Sequence, residues 1–177
     1  PQSCDVYLQD CPEGMKCTHS HLDGWSFCTD VAPEPKELGE PCEIFAGPLE
    51  GLDDCGVGEL CWYFDEEQGL GECISFCQGS MEDATCPEAM THCDIGCQSC
   101  VGICLDDCDP LVPDDCPGDR LCVEIGGNFD CALPAEPLGG YNDPCEYLNV
   151  CEYGLACTLG ELLPGCESGS CCTPFCD

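Results

Sequence analysis

Positive charge is almost missing from this chain: Lys16, Lys36 and Arg120 stand against 36 acidic residues, for a formal net charge of -33. A field of that sign repels nucleic acid and anionic lipid, so the sequence argues against both as partners and favours cations and basic proteins. Histidine is scarce as well, with only His19, His21 and His92. A nucleophilic triad needs a base oriented by a carboxylate and placed beside Ser or Cys, and no P-loop, dinucleotide fingerprint or haem-attachment motif is present, so the chain is read as non-enzymatic, with no cofactor required. Nor does any apolar run approach the ~20 residues that cross a bilayer; no membrane insertion by this chain is expected. No signal-peptide pattern precedes Pro1, so the numbering is read as starting after processing.

What fills the space is cysteine. It accounts for 25 of 177 residues and for much of the 44% hydrophobic share, which leaves about 30% as conventional core formers, among them two Trp. Cysteine at that density marks a disulfide scaffold made in an oxidising compartment, extracellular or at the cell surface. With so little apolar surface the core is expected to be thin and local, and cross-links worth roughly 2–4 kcal/mol each stand in for it.

The cysteines repeat. With each set labelled a to d, they read Cys4, Cys11, Cys17, Cys28; then Cys42, Cys55, Cys61, Cys73; then Cys77, Cys86, Cys93, Cys104; then Cys108, Cys116, Cys122, Cys131. Five or six residues always separate b from c. A fifth set opens with Cys145, Cys151 and Cys157, and its fourth member follows from a longer repeat. APEPKELGEPC from Ala32 to Cys42 resembles AEPLGGYNDPC from Ala135 to Cys145, and CISFC resembles CTPFC, matching Phe76 to Phe175 and making Cys172 the fourth. Cys97 with Cys100, and Cys166 with Cys171, are inserted pairs; Cys176 remains over. It is expected to open a truncated sixth module or to bond another chain.

The expected organisation is therefore module 1 over 1–30, a Pro-rich linker over 31–41, modules 2, 3 and 4 over 42–73, 77–104 and 108–131, a second linker over 132–144, module 5 over 145–172, and the start of a sixth over 173–177. The fold class is small and disulfide-rich: tandem four-cysteine modules built on short β-hairpins, with little helix and an elongated shape. Turn signals such as CPEGMKC and CGVGELC follow b, and apolar runs broken by Gly follow c. One stretch, Pro87 to Ile95, is compatible with a turn or two of helix that starts on proline. Four cysteines allow three pairings; the expected one joins a to c and b to d, because it ties the hairpin base to the preceding loop. The linkers read as semi-rigid spacers, and modules 2 to 4, joined by three-residue bridges, as a rigid rod.

Two metal sites are candidates. Asp106, Asp107, Asp109, Asp114, Asp115 and Asp119 crowd the start of module 4, and disulfide-pinned acidic loops suit calcium, which takes six to eight oxygens. His19 and His21 share a face of the first hairpin and, with Met15 or His92, suit copper or zinc; the plainer reading makes them solvent-facing. The Cys97–Cys100 CxxC is read as a staple rather than a redox pair.

The run CDVYLQDCPEGMKC, with NDPCEYLNVCEYGLAC and CCTPFCD further on, resembles the cysteine-rich extracellular proteins and lipoproteins common in myxobacteria, over essentially the whole chain. The resemblance implies a surface or extracellular location and a chain that continues past the CTPFC segment; it brings no activity and no catalytic residue. The leading function is a structural or interaction protein that presents hairpin tips, with Trp25, Phe27, Trp62, Tyr63, Phe64 and Phe129 as tip candidates, to a protein partner, or that self-assembles through Cys176 or an unpaired strand edge. The alternative is a calcium- or copper-binding extracellular protein. A protease inhibitor is disfavoured, since three basic residues offer no basic loop.

Overall fold

A computed structural model describes residues 2–20, 24–45, 50–65, 70–80, 82–95 and 101–175. His21, Cys97, Cys100 and Cys176, and the side chain of Phe64, lie outside the described residues. The chain divides into two compact units, residues 1–105 and 106–177. The division falls in the bridge before Cys108, so modules 1 to 3 belong to one unit and modules 4 and 5 to the other.

Among the described residues the secondary structure is nearly all small sheets. In unit 1, β1 (Met15–Ser20) pairs with β2 (Trp25–Asp30); β3 (Pro41–Cys42), β5 (Leu70–Ser75) and β4 (Glu59–Asp65) form a sheet with β5 central; and β6 (Thr91–Asp94) pairs with β7 (Ile103–Asp106). In unit 2, β8 (Leu121–Ile125) pairs with β9 (Asn128–Ala132), and β10 (Leu155–Leu159) with β11 (Ser170–Pro174). The helical turn is elsewhere than expected. Thr91–Asp94 is strand, while a 3-10 turn sits at Gly160–Leu162. Met90, at φ 64, is left-handed and stops any right-handed turn from Pro87, and Cys93 is tied to Cys77.

Each hairpin begins the same way. The residue three before c adopts positive φ in four modules: Gly14 at 84°, Gly58 at 81°, Met90 at 64° and Gly154 at 75°. Glycine reaches that region without strain, which is why the knuckle carries it in three of the four. The strand that follows puts c directly opposite d: Cys17 with Cys28, Cys61 with Cys73, Cys122 with Cys131, and Cys157 with Cys172. Opposite residues in an antiparallel pair project to the same side, yet c bonds a and d bonds b. All five modules show this pairing, from Cys4–Cys17 and Cys11–Cys28 to Cys145–Cys157 and Cys151–Cys172, and Cys166–Cys171 makes the eleventh disulfide among the described residues. The two cross-links of a module thus lie side by side and supply its interior: in module 2 the buried cluster is Cys42, Cys55, Cys61 and Cys73, with Ile44 alone among the described residues packed against it.

The proline-rich segments are strapped to the modules that follow them. Lys36 and Gly139, each six residues before an a cysteine, form parallel bridges with the b cysteines Cys55 and Cys151. Three residues further on, the Gly39 and Asn142 amides donate to the carbonyls of Cys73 and Cys172, at 2.9 and 2.8 Å. Both straps satisfy backbone groups that a detached linker would leave to water. The long repeat read in the sequence is therefore matched hydrogen bond for hydrogen bond.

Unit 1 also departs from the expectation of purely local cores. Val6, Tyr7, Leu60, Ile74, Phe76, Ile103 and Leu105, drawn from three modules, share one buried cluster. Phe76, in the bridge between modules 2 and 3, is 1% exposed. The Tyr7 hydroxyl accepts the Gly102 amide at 2.9 Å, across 95 residues of sequence. Gly102 is small for a reason: a Cβ there would stand 2.7 Å from the sulfurs of both Cys77 and Cys93.

Modules 1 and 2 are further joined by a buried ion pair. The Lys16 ammonium donates to Asp53 Oδ1 at 2.5 Å and to the Cys55 carbonyl at 2.9 Å. Asp53 accepts in addition the amides of Cys55 and Cys61, at 2.9 and 3.1 Å. Half-buried Glu59 lies beside this pair. Desolvation raises its carboxyl pKa above 4.5, with help from Glu88 and Asp53 and against the Gly56 amide and Lys16. A raised native pKa means that the folded chain holds a proton more tightly than the unfolded one just above pH 4.5, so this group's contribution falls as pH rises through that window. Glu59→Gln is thus expected to melt no lower than wild type at pH 7 and to lose its advantage as the buffer is brought toward pH 4.5; a gap that widens on acidification would contradict this.

Candidate functional site

The acidic residues at the start of module 4 are placed in two ways. Some are used locally: Asp115 Oδ2 accepts the Asp109 amide at 2.7 Å, Asp109 Oδ1 accepts the Leu111 amide at 2.9 Å, and Asp106 Oδ2 meets the Arg120 guanidinium at 3.5 Å. Asp107 bridges to Asp130 through the backbone. Others face a cleft of about 480 Å³, where Asp114, Asp115 and Asp119 share the lining with Glu136, Arg120 and Tyr153. The negative field is felt there: after desolvation, the carboxylates of Asp109, Asp115 and Asp114 raise the Tyr153 phenol above its ordinary pKa of 10.0. The six aspartates are neighbours, but they do not converge. Among the described residues, the groups of three ligand atoms lying within 4.8 Å of one another are all cysteine sulfurs, such as Cys42, Cys55 and Cys61, and these are the paired disulfides of each module.

His19 is not solvent-facing. It is 5% exposed, with Nδ1 3.1 Å from Ser26 Oγ. The reason is the close approach of module 2: Thr18 Oγ1 donates to the Gly51 carbonyl at 2.7 Å, and a Cβ on Gly51 would stand 2.3 Å from the His19 carbonyl oxygen. His21, the other residue of the candidate copper or zinc pair, lies outside the described residues.

The tip candidates are mostly packed. Trp25 and Phe27 meet at a tilt with ring centroids 5.1 Å apart, Trp62 and Tyr63 lean on the core of unit 1, and Phe129 meets Phe175 edge to face at 5.5 Å. Exposed large apolar side chains occur in both units, and in unit 2 they include Tyr147, Leu148 and Leu159, which are 64%, 49% and 56% exposed. With Val123 and Ile125 of β8 they line a groove of about 600 Å³. Sequence reasoning missed this patch because its residues come from two modules and form no run; the one available signal was the long, leucine-containing stretch between Cys157 and Cys172.

Cations are as rare on the surface as in the sequence. Lys16 is 0% exposed, the Arg120 side chain is 8% exposed and faces Asp106, and Lys36 is exposed. The molecule is thus a small disulfide-rich β protein, of a kind that forms under oxidising conditions. No family model, no curated protein and no solved structure matches it. No helix among the described residues is long and apolar enough to cross a membrane.

Proposed function

We propose that this chain is an extracellular or cell-surface interaction protein whose disulfide-fixed hairpins hold out an acidic surface to a basic polypeptide partner. The observation that carries the reading is the one-signed surface: 36 acidic residues in the chain, with two of the three basic side chains buried against aspartates. Fixed hairpins suit the role because loops already held in place lose little entropy on binding. The resemblance to myxobacterial extracellular proteins and lipoproteins supports the location alone, and the reading assigns no catalytic residue.

Surface plasmon resonance on the native protein, with a lysine-rich peptide and a heparin fragment at about 0.15 M salt, where charges are screened beyond about 8 Å, tests it. Saturable binding of the peptide and none of heparin is expected; binding of neither, or of heparin alone, overturns the reading. A second reading, a calcium protein, draws on the cleft holding Asp114, Asp115 and Asp119, whose carboxylates would have to close in to share an ion. Thermal unfolding with millimolar calcium and with chelator separates the two: a calcium site raises the transition by mass action, whereas identical curves remove it.

A further inference from the structure

Unit 2 holds a groove whose construction points to a particular kind of occupant. Its lining is largely apolar: Val123, 5% exposed, shares it with Leu148, Leu159, Ile125 and Tyr147. A second hollow of about 210 Å³ shares Val123, Leu148 and Cys157 with the first, and its lining includes Leu155, Ala156, Cys157 and Thr158 in succession. Successive strand residues point to opposite faces, so four in a row along one hollow place it beside the edge of β10 rather than over a face. β10 has one ladder partner, β11, and β8 across the hollow has one, β9. An edge without a ladder partner offers a row of backbone donors and acceptors at strand spacing.

Charge says what fits. From Asp106 to Asp177 there are fifteen Asp and Glu against Arg120 alone, and Arg120 faces Asp106. Glu124 and Glu146 stand at the groove itself. A second copy of the chain would bring the same sign and be repelled, whereas a cationic segment gains from the whole field. We propose that this groove binds an extended, basic segment of a polypeptide as a strand along β10, with apolar side chains on Val123, Leu148 and Leu159 and its Lys or Arg side chains toward the acidic surround. Main-chain hydrogen bonds then supply affinity, and the apolar lining selects every second side chain. The inference rests on the basic-partner reading above and names the segment that reading leaves open.

The test uses the whole chain and two amidated heptapeptides of equal charge, one alternating lysine with valine and one alternating lysine with serine, titrated at about 0.15 M salt while backbone amide shifts are followed. The valine peptide is expected to bind at least about tenfold tighter, with the largest shifts on β10 and β8. Leu148→Asp, at an exposed position, adds a negative charge yet should bring the valine peptide down to the level of the serine peptide. Equal affinities, shifts spread over both units, or tighter binding of both peptides by Leu148→Asp would overturn the groove and leave the basic-partner reading standing. If neither peptide binds, that reading falls and the groove falls with it.

Discussion

Lys16→Met is expected to destabilise unit 1 by about 3–5 kcal/mol, the usual cost of removing one member of a buried ion pair. Methionine replaces most of the aliphatic stem, so lost packing is small and the effect isolates the charge. Asp53, 7% exposed, would keep the amides of Cys55 and Cys61 but lose its counter-ion in a site sealed by disulfides. Both tryptophans, Trp25 and Trp62, lie in unit 1, so fluorescence during denaturant unfolding reports this unit selectively. A loss below about 1 kcal/mol would mean that the pair behaves as an exposed one, and that modules 1 and 2 are held together by their apolar contacts and the Thr18–Gly51 hydrogen bond without it.

Full reduction has the larger effect. The ten module cross-links span 12 to 21 residues each, loops for which closure contributes about 3 kcal/mol apiece in the chain-entropy treatment. A domain is stable by about 5–15 kcal/mol in total. Even a fraction of those contributions exceeds that margin, so the reduced and alkylated chain is expected to show no cooperative melting and no near-ultraviolet dichroism. A single deletion gives the graded form: Cys55→Ser with Cys73→Ser should cost about 3 kcal/mol or more, since both residues are wholly buried in a cluster made of little but sulfur. A reduced chain that still melts cooperatively would show that the apolar clusters suffice.

Much of this architecture is legible in the amino-acid sequence alone. The nearly constant b-to-c gap, five residues in four modules and six between Cys86 and Cys93, marks the hairpin knuckle, because a short and closely limited length of chain must turn and bring c opposite d. The long repeat is legible because strap and hairpin recur as one unit, seen in Lys36 and Gly139 bridging Cys55 and Cys151. What stays hidden depends on contacts between modules. Nothing local to Lys16, in a strand that reads as a half-exposed hairpin, announces a partner 37 residues away at Asp53. Phe76 marks the repeat, but its place at the centre of the unit 1 core comes from Val6, Tyr7 and Ile103 arriving from either side. His19 reads most plainly as a solvent-facing hairpin residue, and is buried because Gly51 brings a backbone against it.

Peptide mapping of the native, unreduced protein after thiol alkylation bears most directly on whether paired sulfur cross-links fix these hairpins. Expected are unlabelled module cysteines and linked fragments joining a to c and b to d, Cys42 with Cys61 and Cys55 with Cys73 among them. Links from a to b and c to d, or thiols that label once a chelator has stripped bound metal, would contradict it.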